Sequence, residues 1–148
     1  MYRTGVYSYE PFARCHLQLA HEMNQVLRYL HLAAEISRLK EDGRTYFHGA
    51  VGIREDGVMV CASNGNPVYP TPEHHCEYRI TRKLGVNGTI YLVRTLADGT
   101  WGDSTPCSYC HKRLKRRRVE MVFYSTGHGY TWTLYSPVNE SKPPTGAV

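Results

Sequence analysis

Between residues 12 and 40 apolar side chains recur at spacings of three and four, with Leu19, Met23, Val26, Leu30 and Ala33 on one stripe. That is the period of a helix burying one face. One long helix or two short ones satisfy it, opening near Pro11 and stopped by Glu41-Asp42-Gly43. The pattern then changes to strand-like runs over 47–54 and 58–62, joined by Glu55-Asp56-Gly57 as in a β-hairpin. An Asn-, Gly- and Pro-rich loop over 63–72 leads into a short helix that Leu84-Gly85 ends. Strands are predicted at 89–96, 120–125 and 130–135, the last two separated by the turn Gly127-His128-Gly129. A polar loop over 97–105 holds Asp98-Gly99 and Trp101, and a second short helix follows Pro106. This order predicts an α/β fold, a three-layer or two-layer α/β/α arrangement around a mixed five-stranded sheet with both short helices on one face. Residues 137–148, with Pro137, Pro143 and Pro144, add no regular element and read as a flexible tail.

The two short helices are where chemistry concentrates. His75-Cys76-Glu77 opens the first, and Pro106-Cys107-Ser108-Tyr109-Cys110 opens the second. Cys107 and Cys110, at i and i+3, share a helix face and can grip one ion. Near the positive end of the helix dipole they are also expected to favour thiolate over thiol. With His75 they make a three-donor zinc set that leaves a coordination position for water. Glu77 is too close to His75 to be needed as a ligand and is placed to carry protons, which calls for a raised pKa. A structural zinc site normally closes with a fourth protein donor, for which His74, Cys76 and His111 are the candidates. Closed in that way, the chain would be a zinc-stabilised binding module. Cys15 and Cys61 are simplest as core residues.

The spacing H-x-E followed by P-C-x-x-C resembles the signature of the cytidine deaminase superfamily of zinc-dependent nucleoside, nucleotide and polynucleotide deaminases. The similarity spans roughly 46–125, with 17–40 standing where the family has its first helix. It implies a cytidine deaminase-like three-layer α/β/α fold, Zn2+ as cofactor on His75, Cys107 and Cys110, and Glu77 as the catalytic proton carrier. Asn64 matches an asparagine that many members use to hold ribose or base. Cys76 departs from the alanine usual between the histidine and the glutamate. The resemblance also implies self-association into a homo-oligomer.

Composition adjusts this picture in three ways. A chain of 148 residues fits one deaminase domain over 1–148. Five cysteines, an odd number, argue against a disulfide scaffold and for an intracellular, cytoplasmic setting. The first 14 residues lack the apolar core of a signal peptide and no run approaches a membrane span, so no membrane partner is expected. His111-Lys112-Arg113-Leu114-Lys115-Arg116-Arg117-Arg118 gathers six positive charges in a chain of net charge +5. Such a run is either a solvated helix face or a contact for phosphate or nucleic acid, with Arg113, Arg116, Arg117 and Arg118 as its candidates. Among 12 tyrosines and two tryptophans, Trp101 and Tyr109 are the candidates to contact a flat base, whereas Tyr124 and Trp132 read as strand core. The expected activity is zinc-dependent hydrolytic deamination of cytosine to uracil, on a cytidine or deoxycytidine nucleoside or nucleotide. The rival readings are a deaminase of single-stranded DNA or RNA, and a catalytically silent zinc module that binds nucleic acid; an intact Glu77 argues against the last.

Overall fold

The computed structural model describes residues 9–39, 46–65 and 72–135, with side chains at 21, 23–39, 47–65 and 73–135. The helix stop at 41–43, the middle of the 63–72 loop, the tail and the side chains of Cys15 and Leu19 lie outside the described residues. Helix α1 (Tyr9–Ser37) is one continuous element. Strands β1 (Tyr46–Ile53) and β2 (Met59–Ser63) form the hairpin around the Glu55-Asp56-Gly57 turn. A single 3-10 turn (Pro72–His74) precedes α2 (Cys76–Leu84), and β3 (Thr89–Leu96) follows. Then come β4 (Trp101–Gly102), α3 (Ser108–Arg116), β5 (Met121–Thr126) and β6 (Gly129–Leu134).

The sheet runs β2-β1-β3-β5-β6, with β4 paired to β3 off that path. Among the described strands only β3 and β5 are parallel, and α3 lies on the crossover between them, as a parallel pair requires. The fold is a three-layer α/β/α sandwich around a mixed sheet. Alternation along the strands divides its core. Ile90, Leu92 and Val122 point toward Ile80 and Leu84 of α2 and Leu114 of α3, whereas Tyr91, Val93 and Phe123 point toward Val26, Leu30 and Ala33 of α1. Met23, on the predicted apolar stripe, is exposed at the periphery of this contact.

Three expectations need correction. The loop at 97–105 contains β4, because the Asp98-Gly99 turn, with Gly99 at φ 86°, brings the chain back against β3. Cys61 is exposed, since β2 is the outermost strand and has no neighbour beyond it among the described residues. Trp132 is also exposed, on the opposite edge strand β6.

Gly49 shows how closely α1 lies on the sheet. A Cβ at this position would overlap the Ala33 carbonyl oxygen and sit 2.6 Å from the Ser37 backbone nitrogen. Gly49→Ala is therefore expected to lower the unfolding free energy by about 1–3 kcal/mol, the usual cost of overpacking. A denaturant midpoint equal to that of the parent would contradict this packing of α1.

Candidate metal centre

His75 and Cys107 occupy equivalent positions, each the N-cap of its helix in extended backbone conformation (φ −67° for both, ψ 144° and 167°). An N-cap side chain projects past the first turn, so two helices lying side by side can direct such residues at one point. Cys110, one turn into α3, reaches the same place and its backbone N–H donates to Cys107 Sγ at 3.5 Å.

His75 contributes Nδ1, which lies 3.6 Å from Cys107 Sγ and 3.4 Å from Cys110 Sγ. Among the described residues these three form a donor group that can hold a metal ion, with all donor atoms within 4.8 Å of one another. The two nitrogen–sulfur separations are those a tetrahedral zinc ion would need. Bonds of about 2.3 Å to sulfur and 2.0–2.1 Å to nitrogen at a tetrahedral angle place the two donor atoms about 3.6 Å apart. The candidates for a closing fourth donor are engaged elsewhere or outside this group. Cys76 Sγ donates to Glu77 Oε1 at 3.3 Å, and His111 Nδ1 pairs with the Tyr135 hydroxyl at 2.7 Å. His74 is not part of the three-donor group either.

The donors differ in their surroundings: Cys107 is exposed, His75 half-buried and Cys110 buried. Burial pushes the Cys110 thiol far above its ordinary range, reinforced by the charge of Glu77. Without a metal, burial opposes the preference for thiolate that the start of a helix gives Cys110. A divalent cation held by the three donors would supply the compensating charge. Glu77 is 6% exposed, and its carboxyl is pushed up by that burial against the opposing effects of its backbone N–H, Cys76 and His75. A carboxyl in that environment holds a proton more readily than one in water.

The loops that aim these residues are tied down from outside the helices. His75 makes no side-chain cap for α2; Asn64 does so from the preceding strand's end, its Oδ1 accepting the Cys76 N–H at 2.9 Å. Asn64→Ala is expected to cost about 0.5–2 kcal/mol, the range for losing a helix N-cap. An unaltered thermal midpoint would show that this cap is not stabilising. Before α3, Ser104 N–H donates to the Ser125 carbonyl at 2.9 Å and Ser125 N–H returns to Ser104 Oγ at 2.9 Å. That exchange anchors the approach to Cys107 on β5.

No protein-family model and no curated protein matches this sequence. Among solved structures, the cytidine deaminase of Burkholderia pseudomallei matches over 73% of this chain and 91% of its own, at 16% identity and a TM-score of 0.50. That of Mycobacterium leprae matches over 71% and 90%, at 17% identity and a TM-score of 0.49. The chain has the cytidine deaminase fold.

Within that fold the remaining sequence-predicted site residues separate into two groups. Tyr109 stays with the metal centre: 45% exposed, it stacks on Tyr78 of α2 with ring centroids 6.3 Å apart and planes 25° apart. Trp101 does not. Its pairing with Thr95 puts it on the α1 face, against His31 at 5.0 Å between centroids, with the sheet between it and the two metal-bearing helices. Arg113 is held between helices, its guanidinium 3.8 Å from the Tyr78 ring centroid and its Nε donating to Thr81 Oγ1 at 2.8 Å. Arg116 and Arg118 are exposed, while Arg117 caps the end of α3 and is half-buried. Tyr78 went unnoticed in the sequence, although at i+3 from His75 it shares the face of α2 that the N-cap donor uses. No described helix is long and apolar enough to cross a membrane.

Proposed function

We propose that this protein is a zinc-dependent hydrolytic deaminase that replaces the exocyclic amine of cytosine with a carbonyl, releasing ammonia. The observation that carries the reading is the three-donor cluster, its nitrogen 3.6 and 3.4 Å from the two sulfurs, with the buried carboxyl of Glu77 beside it. His75, Cys107 and Cys110 would hold zinc, whose Lewis acidity eases the ionisation of water near neutral pH. Glu77 takes one proton from the attacking water and delivers it to the ring nitrogen as oxygen bonds to the amine-bearing carbon. It then carries the remaining hydroxyl proton to the amine, the carbon–nitrogen bond breaks, and uracil and ammonia leave with Glu77 again a carboxylate. Burial supports this cycle by raising the carboxyl's proton affinity toward that of its exchange partners.

For substrate contacts, Asn64 and Tyr109 remain the candidates, one bordering the entrance of α2 and the other that of α3. Trp101 is withdrawn from that role by its position across the sheet. The substrate is a cytosine-containing nucleoside, nucleotide or single-stranded nucleic acid. A catalytically silent zinc module is the weaker reading, because three protein donors leave the site open and Glu77 sets a buried carboxyl beside it.

The test is to incubate zinc-loaded protein with cytosine, cytidine, CMP, dCMP and single-stranded oligonucleotides, and to measure uracil product and ammonia. Uracil and ammonia in equal amounts are the expected result. Inactivity on every cytosine and adenine substrate, with one zinc bound per chain, would overturn the proposal in favour of a binding module.

A further inference from the structure

The sequence shows one basic run, but the structure shows two basic helices converging. Tyr78 meets Tyr109, and one turn later Thr81 meets Arg113, so α2 and α3 run side by side in the same direction with His75 and Cys107 at their leading ends. Three Lys or Arg residues lie on α2 and four on α3, while the acid on these two helices is Glu77, which is buried. Their outer surface is therefore strongly positive. Balancing a helix dipole takes about half a charge at each C-terminus, and the last turns carry two and three cations respectively. Two further groups are committed within the protein: Lys83 Nζ donates to the Cys61 carbonyl at 2.6 Å, and Arg113 clasps Tyr78 and Thr81.

Three of the five cations that remain form a line with Tyr109. On α3, Tyr109, Lys112 and Arg116 fall at i, i+3 and i+7 on one stripe, all exposed. On α2, exposed Arg82 lies one turn beyond Tyr78 and continues the neighbouring ridge. From Tyr109 to Arg116 this stripe extends about 10 Å at 1.5 Å per residue. It leads away from the metal donors with an aromatic ring first and cations after it. A free nucleoside has no use for such a row and a mononucleotide needs one cation, whereas successive phosphates of a strand meet several. An exposed ring at the head of the row is what an unpaired base stacks on.

We propose that this face is the track of a single-stranded nucleic acid, with a base flanking the reactive one stacked on Tyr109 and the following phosphates over Lys112, Arg82 and Arg116. This rests on the deaminase reading and narrows its substrate to a polynucleotide. The experiment uses the full, zinc-loaded chain carrying Glu77→Gln, so that substrate is bound without being consumed. Binding of fluorescent cytosine-containing single strands of DNA and of RNA is followed by anisotropy over a range of salt concentrations, with duplex DNA as comparator.

Single strands are expected to bind more tightly than duplex, with affinity falling steeply as salt rises. Tyr109→Ala should weaken binding by about 5- to 150-fold, the stacking contribution of one base, with Tyr109→Phe retaining it. Arg82→Gln with Arg116→Gln should lower the slope of log affinity against log salt by about 1.4, or 0.7 for each lost phosphate contact. Zinc content and far-ultraviolet circular dichroism equal to the parent's establish that these variants are folded. Absence of single-strand binding at low salt, or a salt slope unmoved by the double substitution, would overturn the track. Turnover of free cytidine or dCMP by the parent, alongside either of those results, would sink the track and leave the deaminase reading standing. Strand binding with the predicted slopes, but no deamination of any substrate, would instead sink the deaminase reading.

Discussion

Glu77→Gln is expected to bind zinc at the parent's stoichiometry, melt near the parent's temperature and lose about 100- to 10,000-fold in turnover. The amide fills the same buried space but cannot accept a proton from water. It also cannot return one to the ring or the amine, and so fails at every transfer the reaction needs. Zinc analysis, a thermal melt and product formation together separate this outcome from misfolding. A variant that retained turnover within a factor of a few would remove the carboxylate from the mechanism, whatever the metal content. The neighbouring Cys76 thiol, 3.3 Å from Oε1 in the parent, offers no substitute, because burial pushes it well above its ordinary range.

Cys107→Ala is expected to abolish both zinc binding and turnover, and to remove the part of the protein's stability that depends on metal. Ligand linkage gives about 4.1 kcal/mol of stabilisation at zinc a thousandfold above its dissociation constant. For a domain of this size that corresponds to about 8–16 °C in melting temperature. Because Cys107 is exposed, the further cost of the substitution is the cap its Sγ gives the Cys110 N–H, at most about 0.5–2 kcal/mol. The variant should therefore melt at or slightly below the chelator-stripped parent, and a chelator should not lower it further. A parent whose melting temperature ignores both zinc and chelator would show that the three donors do not hold an ion.

The sequence made this site legible because its donors stand in short local motifs. Cys107 and Cys110 are fixed relative to one another by helical spacing alone, and His75 opens a helix of the same kind. The principal strands were legible for a similar reason, since short runs rich in apolar and β-branched residues between turn signals mark β1, β3 and β5 whatever their partners are. What local pattern does not carry is sidedness. Trp101 lies only six residues before Cys107, yet the β4–β3 register sends its ring to the α1 face. Cys61 reads as a small buried residue until β2 proves to be an edge. Arg113 and Arg116 have the same charge and similar sequence surroundings. Only the approach of α2 distinguishes a guanidinium packed on Tyr78 from one facing water.

The histidine donor precedes its two sulfur partners by 32 and 35 residues, and the central strand β3 lies between them. A chain emerging from the ribosome therefore exposes His75 well before the cysteines exist. The ion cannot be captured from all three sides until α2 and α3 have settled onto the middle of the sheet. On the zinc reading, metal loading is expected late in maturation, as a latch on an architecture already assembled.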